Sequence, residues 1–413
     1  MKKNLFFCTT LLLFSARIMA DTAGGSDSGG LEARDLESLR EWINTKRQVT
    51  VKEKGGSLAI SGEVRSEMQA AYETSNGVRQ RGARCPTGIP HETFDVEVNL
   101  MLDYRTDRTW SSAKLEFDND AGIFNGSLNK IKLERAFWGA RLIEKETLAF
   151  DAEVGRRRLN SFVDTKMQGD SFFDGILLRY DQSFDKIADF YIHAGTMVID
   201  ERSRQFGYVS EVGLLDIADT GFYTKYLFID WDTKSFKHNS TKKHRFDFIT
   251  SQLLLGYKFI PKKFNKLVVL YLAGVYNHVA RKLAISDYKR ANAGGYIGFS
   301  IGELKKKGDW SLDTQYQLVQ AQAIPDFDSA GLGLGNTAGV GFYTAQINGS
   351  GGFNTRSTAA GNSNFRGYNI TLEYLLTNNL ILFQSWTQTH SLDDRIGPTR
   401  RFKAYEMEFN YAF

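Results

Sequence analysis

The sequence predicts an all-β fold: a transmembrane antiparallel up-and-down β-barrel of about 16 strands, preceded by a short N-terminal periplasmic helix. Three observations carry this. From Ser57 onward, hydrophobicity alternates with a period of two. The connections tend to alternate between short and long. The chain ends on Phe413, which closes a segment with an aromatic or apolar residue at every second position.

The 413 residues are 42% hydrophobic, 13% aromatic and 24% charged. A mildly hydrophilic average is compatible with a membrane barrel, because only alternate residues face lipid. Residues 1–20 read as an export signal: Lys2 and Lys3, a short apolar core from Leu5 to Phe14, and Ile18-Met19-Ala20 before Asp21. The apolar run is too short for the ~20 residues of a spanning helix. Cleavage at Cys8 as a lipoprotein is disfavoured, since Leu-Phe-Phe-Cys lacks a small residue before the cysteine. Removing the signal takes Lys2, Lys3 and Arg17 and no acid, so 52 basic residues fall to 49 against 48 acidic ones. A near-neutral chain disfavours nucleic acid as a partner. The one remaining cysteine, Cys85, excludes an internal disulfide.

Residues 21–30 form a small, polar leader. Within 31–50, Leu36, Leu39 and Ile43 fall at i, i+3 and i+7 with charges between, which predicts one amphipathic periplasmic helix over 31–48. The barrel is expected over 57–413. Its strands are expected near 57–73, 93–104, 108–118, 130–142, 147–158, 171–180, 186–198, 207–217, 220–231, 245–259, 265–279, 290–302, 308–323, 365–376, 379–389 and 400–413. Phe94, Val96, Val98, Leu100, Leu102 and Tyr104 alternate with Asp95, Glu97, Asn99 and Asp103, which places one face in an apolar medium and the other in a polar one. Links after even strands are short and those after odd strands mostly long, as in barrels with short periplasmic turns and long external loops. All five prolines (Pro86, Pro90, Pro261, Pro325, Pro398) fall in connections, where no ladder N–H is needed. A sheet in lipid must close, because an open edge cannot be satisfied there.

Read from this phase, the lumen receives Asp95, Glu97 and Asp103 from strand two and Lys114, Glu116 and Asp118 from strand three. Strands four to six give Arg135, Arg141, Arg157 and Arg179, and the last strand gives Glu406 and Glu408. Acids and bases are thereby expected on different arcs of the wall, setting up a transverse field; a merely solvated polar lumen is the alternative. Trp110, Trp138, Trp231 and Trp386 are candidates for interfacial girdles. The Gly-, Ser-, Thr- and Asn-rich loop 324–364 is expected either to fold inward or to cover the outside. Arg156-Arg157-Arg158 alternates faces in a strand, with the outer two near headgroup level.

No catalytic, cofactor or metal site is predicted. The six histidines (His91, His193, His238, His244, His278, His390) show no metal-ligand spacing, and no nucleophile elbow or phosphate-binding loop occurs in context. The leading expectation is a water-filled outer-membrane channel for small hydrophilic solutes, because no plug-sized domain precedes the first strand. A surface adhesin or structural envelope protein using loops 74–92 and 324–364 is the alternative. An outer-membrane lipid hydrolase is a third reading, weakened by the want of a convincing Ser/His pair on neighbouring strands.

The final strand, with Tyr405, Met407, Phe409, Tyr411 and Phe413 on one face, resembles the signal read by the barrel-assembly machinery. The segments GSLAISGEVRSEMQ, LERAFWGARL, VGRRRLN and FFDGILLRY resemble outer-membrane porin-like proteins of chlamydiae and, more loosely, the carbohydrate-selective porins. The resemblance implies a 16-strand barrel, passive diffusion of small hydrophilic solutes and often a homotrimer. No binding residue is carried over from those families.

Overall fold

The computed structural model describes residues 49–53, 56–82, 84–85, 90–121, 130–200, 205–231, 248–282, 286–325, 328–330, 332, 345–347, 353–355 and 362–413. The expected export signal, leader and helix lie outside the described residues. Among these residues, sixteen antiparallel strands form the wall: β1 (Gly56–Ser75), β2 (Glu92–Arg105), β3 (Thr109–Ala121), β4 (Lys130–Lys145), β5 (Leu148–Arg158), β6 (Phe172–Phe184), β7 (Ala188–Asp200), β8 (Gln205–Ile217), β9 (Phe222–Asp230), β10 (Ile249–Phe259), β11 (Val268–Asn277), β12 (Ala293–Ile301), β13 (Trp310–Val319), β14 (Phe365–Leu375), β15 (Leu380–Ser391) and β16 (Arg400–Ala412).

Each strand pairs with the next, and β16 pairs with β1 from Glu63↔Ala412 to Ser75↔Arg400, so the sheet has no free edge. Closure continues one residue past β16: the Gly62 and Phe413 main chains exchange both hydrogen bonds, at 2.9 and 2.8 Å. A short strand, Val49–Glu53, turns back on the start of β1. Two small hairpins, at 78–79 and at 345–347 with 353–355, lie in the connections.

The period-two pattern becomes two surfaces. Ile60, Met68, Tyr72, Phe94, Trp138, Ile176, Leu253, Leu255, Leu272 and Trp386 are exposed on the outside. Glu116, Glu153, Glu211, Gln252, Asp313, Gln317, Thr371 and Glu408 are buried within. An exposed apolar belt around a closed sheet is stable in a bilayer and unstable in water. The links after even strands are 106–108, 146–147, 185–187, 218–221, 260–267, 302–309 and 376–379; those after odd strands are mostly longer, with 201–204 short and 122–129 and 392–399 matching the longest even-strand links. Both β1 and β16 have their outer ends at the short-turn rim, which is the periplasmic side of such a barrel.

One local irregularity moves a charge. Lys114 pairs with Arg135 but Leu115 pairs with Leu133, so Glu134 is an extra residue bulging from β4. The bulge inverts the phase of β4: Ile131 and Leu133 face out before it, Trp138 and Leu142 after it. Arg135 and Arg141 reach the lumen side by this shift.

Candidate functional site: the lumen and its inward loop

The connection from β5 to β6 does not leave the barrel. Residues 159–171 turn into it as a narrow two-legged loop, held by Leu159 N–H to Ser171 O (2.9 Å) and Asn160 N–H to Gly169 O (3.0 Å). Its legs are apolar where they meet the wall. Leu159, Phe162 and Val163 are buried with Phe173, Leu177, Met197, Leu227, Ile229, Trp231 and Phe248. Met167 is buried with Leu254, Val269, Tyr271, Tyr296, Val319 and Phe365. These wall residues sit at lumen positions, where a plain polar-inside barrel has no use for them; β9 is apolar on both faces because its inner face receives the loop.

The loop's polar groups are bonded in sequence across the wall. His193 Nδ1 of β7 lies 2.8 Å from the Phe162 carbonyl oxygen. Asp164 N–H donates to Glu211 Oε2 of β8 (2.7 Å), and Lys225 Nζ of β9 donates to Asp164 Oδ2 (2.8 Å). Gln252 Nε2 of β10 donates to the Asp164 carbonyl, and Thr165 Oγ1 donates back to Gln252 Oε1, both at 2.8 Å. Gln317 Nε2 of β13 donates to the Lys166 carbonyl (2.8 Å), while Lys166 Nζ sits 3.5 Å from Asp313 Oδ2 and 4.5 Å above the Tyr271 ring. Part of the 324–364 connection rests on it: Gln168 bridges to Ser329, and Ala330 N–H donates to the Met167 carbonyl (3.1 Å). The connection 159–171 therefore makes an inward crossing, with Asp328, Ser329 and Ala330 of the 324–364 connection packed against it. The sequence signal was Phe162, Val163 and Met167, apolar residues in a loop.

The wall facing this loop carries the charges singled out in the sequence. Glu97 of β2 and Glu408 of β16 lie 3.7 and 3.5 Å from Arg65 of β1. Asp95 is opposite Glu67 in the β1–β2 ladder. Glu116 is buried and accepts from Lys132 Nζ (2.6 Å), and Lys114 pairs with Arg135 across β3–β4. Arg157 is 4% exposed, 2.8 Å from Glu153 and 3.6 Å over the Phe137 ring; Arg179 approaches the same Glu153 at 3.7 Å. Arg141 lies at the short-turn mouth, bonded to Asp151 (2.9 Å) and Glu144 (3.1 Å). Asp103 pairs with Ser112 across β2–β3; the side chain of Asp118 lies outside the description.

Bases and acids are thus interleaved rather than parted into arcs. Glu153 and Asp151 stand among the arginines, and Arg65 stands among the acids. The physical reason is that a buried charge without a counter-charge costs several kcal/mol. Glu67, Glu406 and Glu408 converge within 4.8 Å, hard oxygen donors of the kind a cation takes, and Arg65 already supplies a positive charge beside Glu408. Two of the expected girdle residues are misplaced by the sequence reading. Trp110 points inward and donates to Glu153 Oε1 (2.9 Å), and Trp231 is 2% exposed beneath the inward loop. Trp110 shares the phase of Ser112 and Glu116, and Trp231 that of Leu227 and Ile229. Trp138 and Trp386 are on the outside. On β16, Tyr405, Met407, Phe409 and Tyr411 have the outward phase, and Phe413 is 50% exposed with its ring against Gly62.

With this geometry, the chain is similar to OprB of Pseudomonas putida: TM-score 0.51, 8% identity, covering 94% of this chain and 100% of that one. The fold is that of an outer-membrane barrel. Further neighbours are OmpF of Salmonella typhi, solved in complex with daunomycin (TM-score 0.45, 12% identity, 88% of this chain and 100% of that one), and the outer membrane channel DcaP of Acinetobacter baumannii (0.43, 11%, 88% and 99%). At such identities the likeness concerns the fold. No protein-family model matches the sequence, and a comparison with curated proteins finds no match.

Proposed function

We propose that this chain is an outer-membrane porin that passes small hydrophilic solutes by passive diffusion. One observation carries the reading: the loop 159–171 is bonded to the inner wall from β7 to β13, and the charged wall from β16 through β5 faces it. A solute crossing the barrel then passes between the loop on one side and the wall carrying Arg65, Lys114, Glu116, Arg135, Arg157 and Glu408 on the other. Paired charges at close quarters orient dipoles and select among ions without binding any solute tightly. The other lumen candidates Asp95, Glu97, Arg141 and Glu406 belong to the same wall, and Arg179 of β6 borders it beside Glu153.

The reading is of a channel and not an enzyme. One serine and one histidine do meet on adjacent strand ends, contrary to the sequence expectation: Ser251 Oγ is 2.8 Å from His278 Nε2. Tyr226 Oη shares the same serine oxygen at 2.8 Å, and among the described residues no group is hydrogen-bonded to His278 Nδ1 to orient the ring. A nucleophile–base pair without an orienting third group is a weak hydrolase.

The same proposal takes residues 1–20 as an export signal, 31–48 as a periplasmic helix, and Tyr405, Met407, Phe409, Tyr411 and Phe413 as the signal for the barrel-assembly machinery. A homotrimer and kinship with chlamydial porin-like proteins also belong to it. Planar-bilayer recording of the folded protein is the test. Stepwise conductance with solute-dependent liposome swelling is expected; folded barrels that insert and carry no current would overturn the reading.

A further inference from the structure

The outer face of the barrel carries one cluster that channel function does not use. At the long-loop ends of β14, β15 and β16, Arg366, Arg401 and Lys403 are exposed, while their chain neighbours Phe365, Gly367 and Phe402 are buried in the lumen. Arg366 pairs directly with His390, and His390 directly with Arg401. Lys403 is two residues along β16, between Gln388 and Tyr72. Directly opposed side chains in a sheet are about 5 Å apart, and like charges there repel. Among the described residues no carboxylate is within ion-pair distance of any of the four.

Elsewhere on the outer face the chain does supply carboxylates. Arg156 is bonded to Asp174 (2.6 Å), and Arg158 reaches the bulged Glu134 (3.0 Å) and, at the foot of the inward loop, Asp170 (2.7 Å). The depth of the unpaired cluster is marked by aromatics. Trp386 and Tyr405, with ring centroids 6.4 Å apart on the same outward phase, lie one step below Lys403 toward the membrane centre. Tyrosine and tryptophan collect at the membrane–water boundary, so the cations sit at headgroup level.

We propose that Arg366, His390, Arg401 and Lys403 bind the phosphate groups of the phosphorylated glycolipid of the outer leaflet. The inference rests on the outer-membrane reading, which puts the long-loop rim outside. The missing counter-charge comes from the lipid, and Trp386 and Tyr405 line the path of its first acyl carbons.

The test uses the full-length folded protein in detergent, with native mass spectrometry of bound diphosphoryl lipid A and of its dephosphorylated form. The wild type is expected to retain the diphosphoryl form selectively. Arg366→Gln/Arg401→Gln/Lys403→Gln is expected to bind it on the order of 100-fold more weakly, since each basic side chain near an anionic surface contributes roughly five-fold. Arg156→Gln/Arg158→Gln is expected to bind as the wild type does. Equal retention of both lipid forms, an undiminished triple variant, or an equal loss in the Arg156/Arg158 variant would overturn the proposal. Displacement of the lipid by an equal concentration of inorganic pyrophosphate would also overturn it, by making the site one for soluble phosphate. Heat-modified gel mobility reports folding of each variant, and single Arg401→Gln serves if the triple does not fold. Conductance is read on the same samples: a silent wild type that still selects diphosphoryl lipid A would sink the channel and leave the lipid site.

Discussion

At the residue scale, two positions carry more than their neighbours. Asp328 belongs to the segment seated on the inward loop. It is fully buried, it accepts from the Ser171 N–H at 3.1 Å, and its Oδ2 has no hydrogen-bond partner. Burial pushes its carboxyl up to about 7 from an ordinary 3.8. The docked state therefore holds the proton more tightly than the released state. Its contribution is complete below the ordinary carboxylate range and is lost as pH rises through about 7. Limited proteolysis of the 320–364 connection is expected to speed up over that window in the wild type and to lose this dependence in Asp328→Asn; identical pH profiles would refute the assignment. Gly62 is the second position. A Cβ there would lie 2.5 Å from the Phe413 ring, so the terminal aromatic can fold flat only over a glycine. Gly62→Val is expected to slow barrel closure markedly in a refolding assay and to leave single-channel conductance unchanged in the barrels that do form, because position 62 faces outward.

At the scale of elements, the loop 159–171 is held by both polar bonds and an apolar footing. Trp231, Leu227 and Ile229 give β9 an inner face that fits no solvated lumen and fits this loop. Truncating a buried tryptophan costs about 3–5 kcal/mol. Trp231→Ala is expected to leave the barrel folded but loosen the loop, seen as larger open-channel noise and a raised mean conductance; a recording indistinguishable from wild type would show that the polar bonds suffice. The loop was legible in part. Phe162, Val163 and Met167 in a connection, and a strand apolar on both faces, are the marks of an element covered from within. Neither mark says which wall the loop meets, since that contact joins residues as far apart as Lys166 and Asp313.

At the scale of the whole molecule, charge balance inside the wall sets what the pore prefers. Arg65 is the cation among Glu97, Glu408 and the converging Glu67 and Glu406. Arg65→Gln removes it from a lumen of partly buried carboxylates. The reversal potential in a salt gradient is expected to move toward cation selectivity, with lower thermal stability, since leaving a buried charge unpaired costs roughly 3–5 kcal/mol. An unchanged reversal potential would show that the ions pass elsewhere.

Strand number, strand phase and the side of the long loops follow from the sequence alone, because a bilayer outside and a polar lumen inside impose a local period of two. Proline placement and the alternating connections carry the rest of that pattern. The bulge at Glu134, the inward course of 159–171 and the pairing of Arg157 with Glu153 were decided only by tertiary structure. So was the meeting of Arg366, His390, Arg401 and Lys403 on the outer face. Each of these depends on register between strands or on contacts across the barrel, and a period along one strand holds no information about the side chain standing beside it on the next.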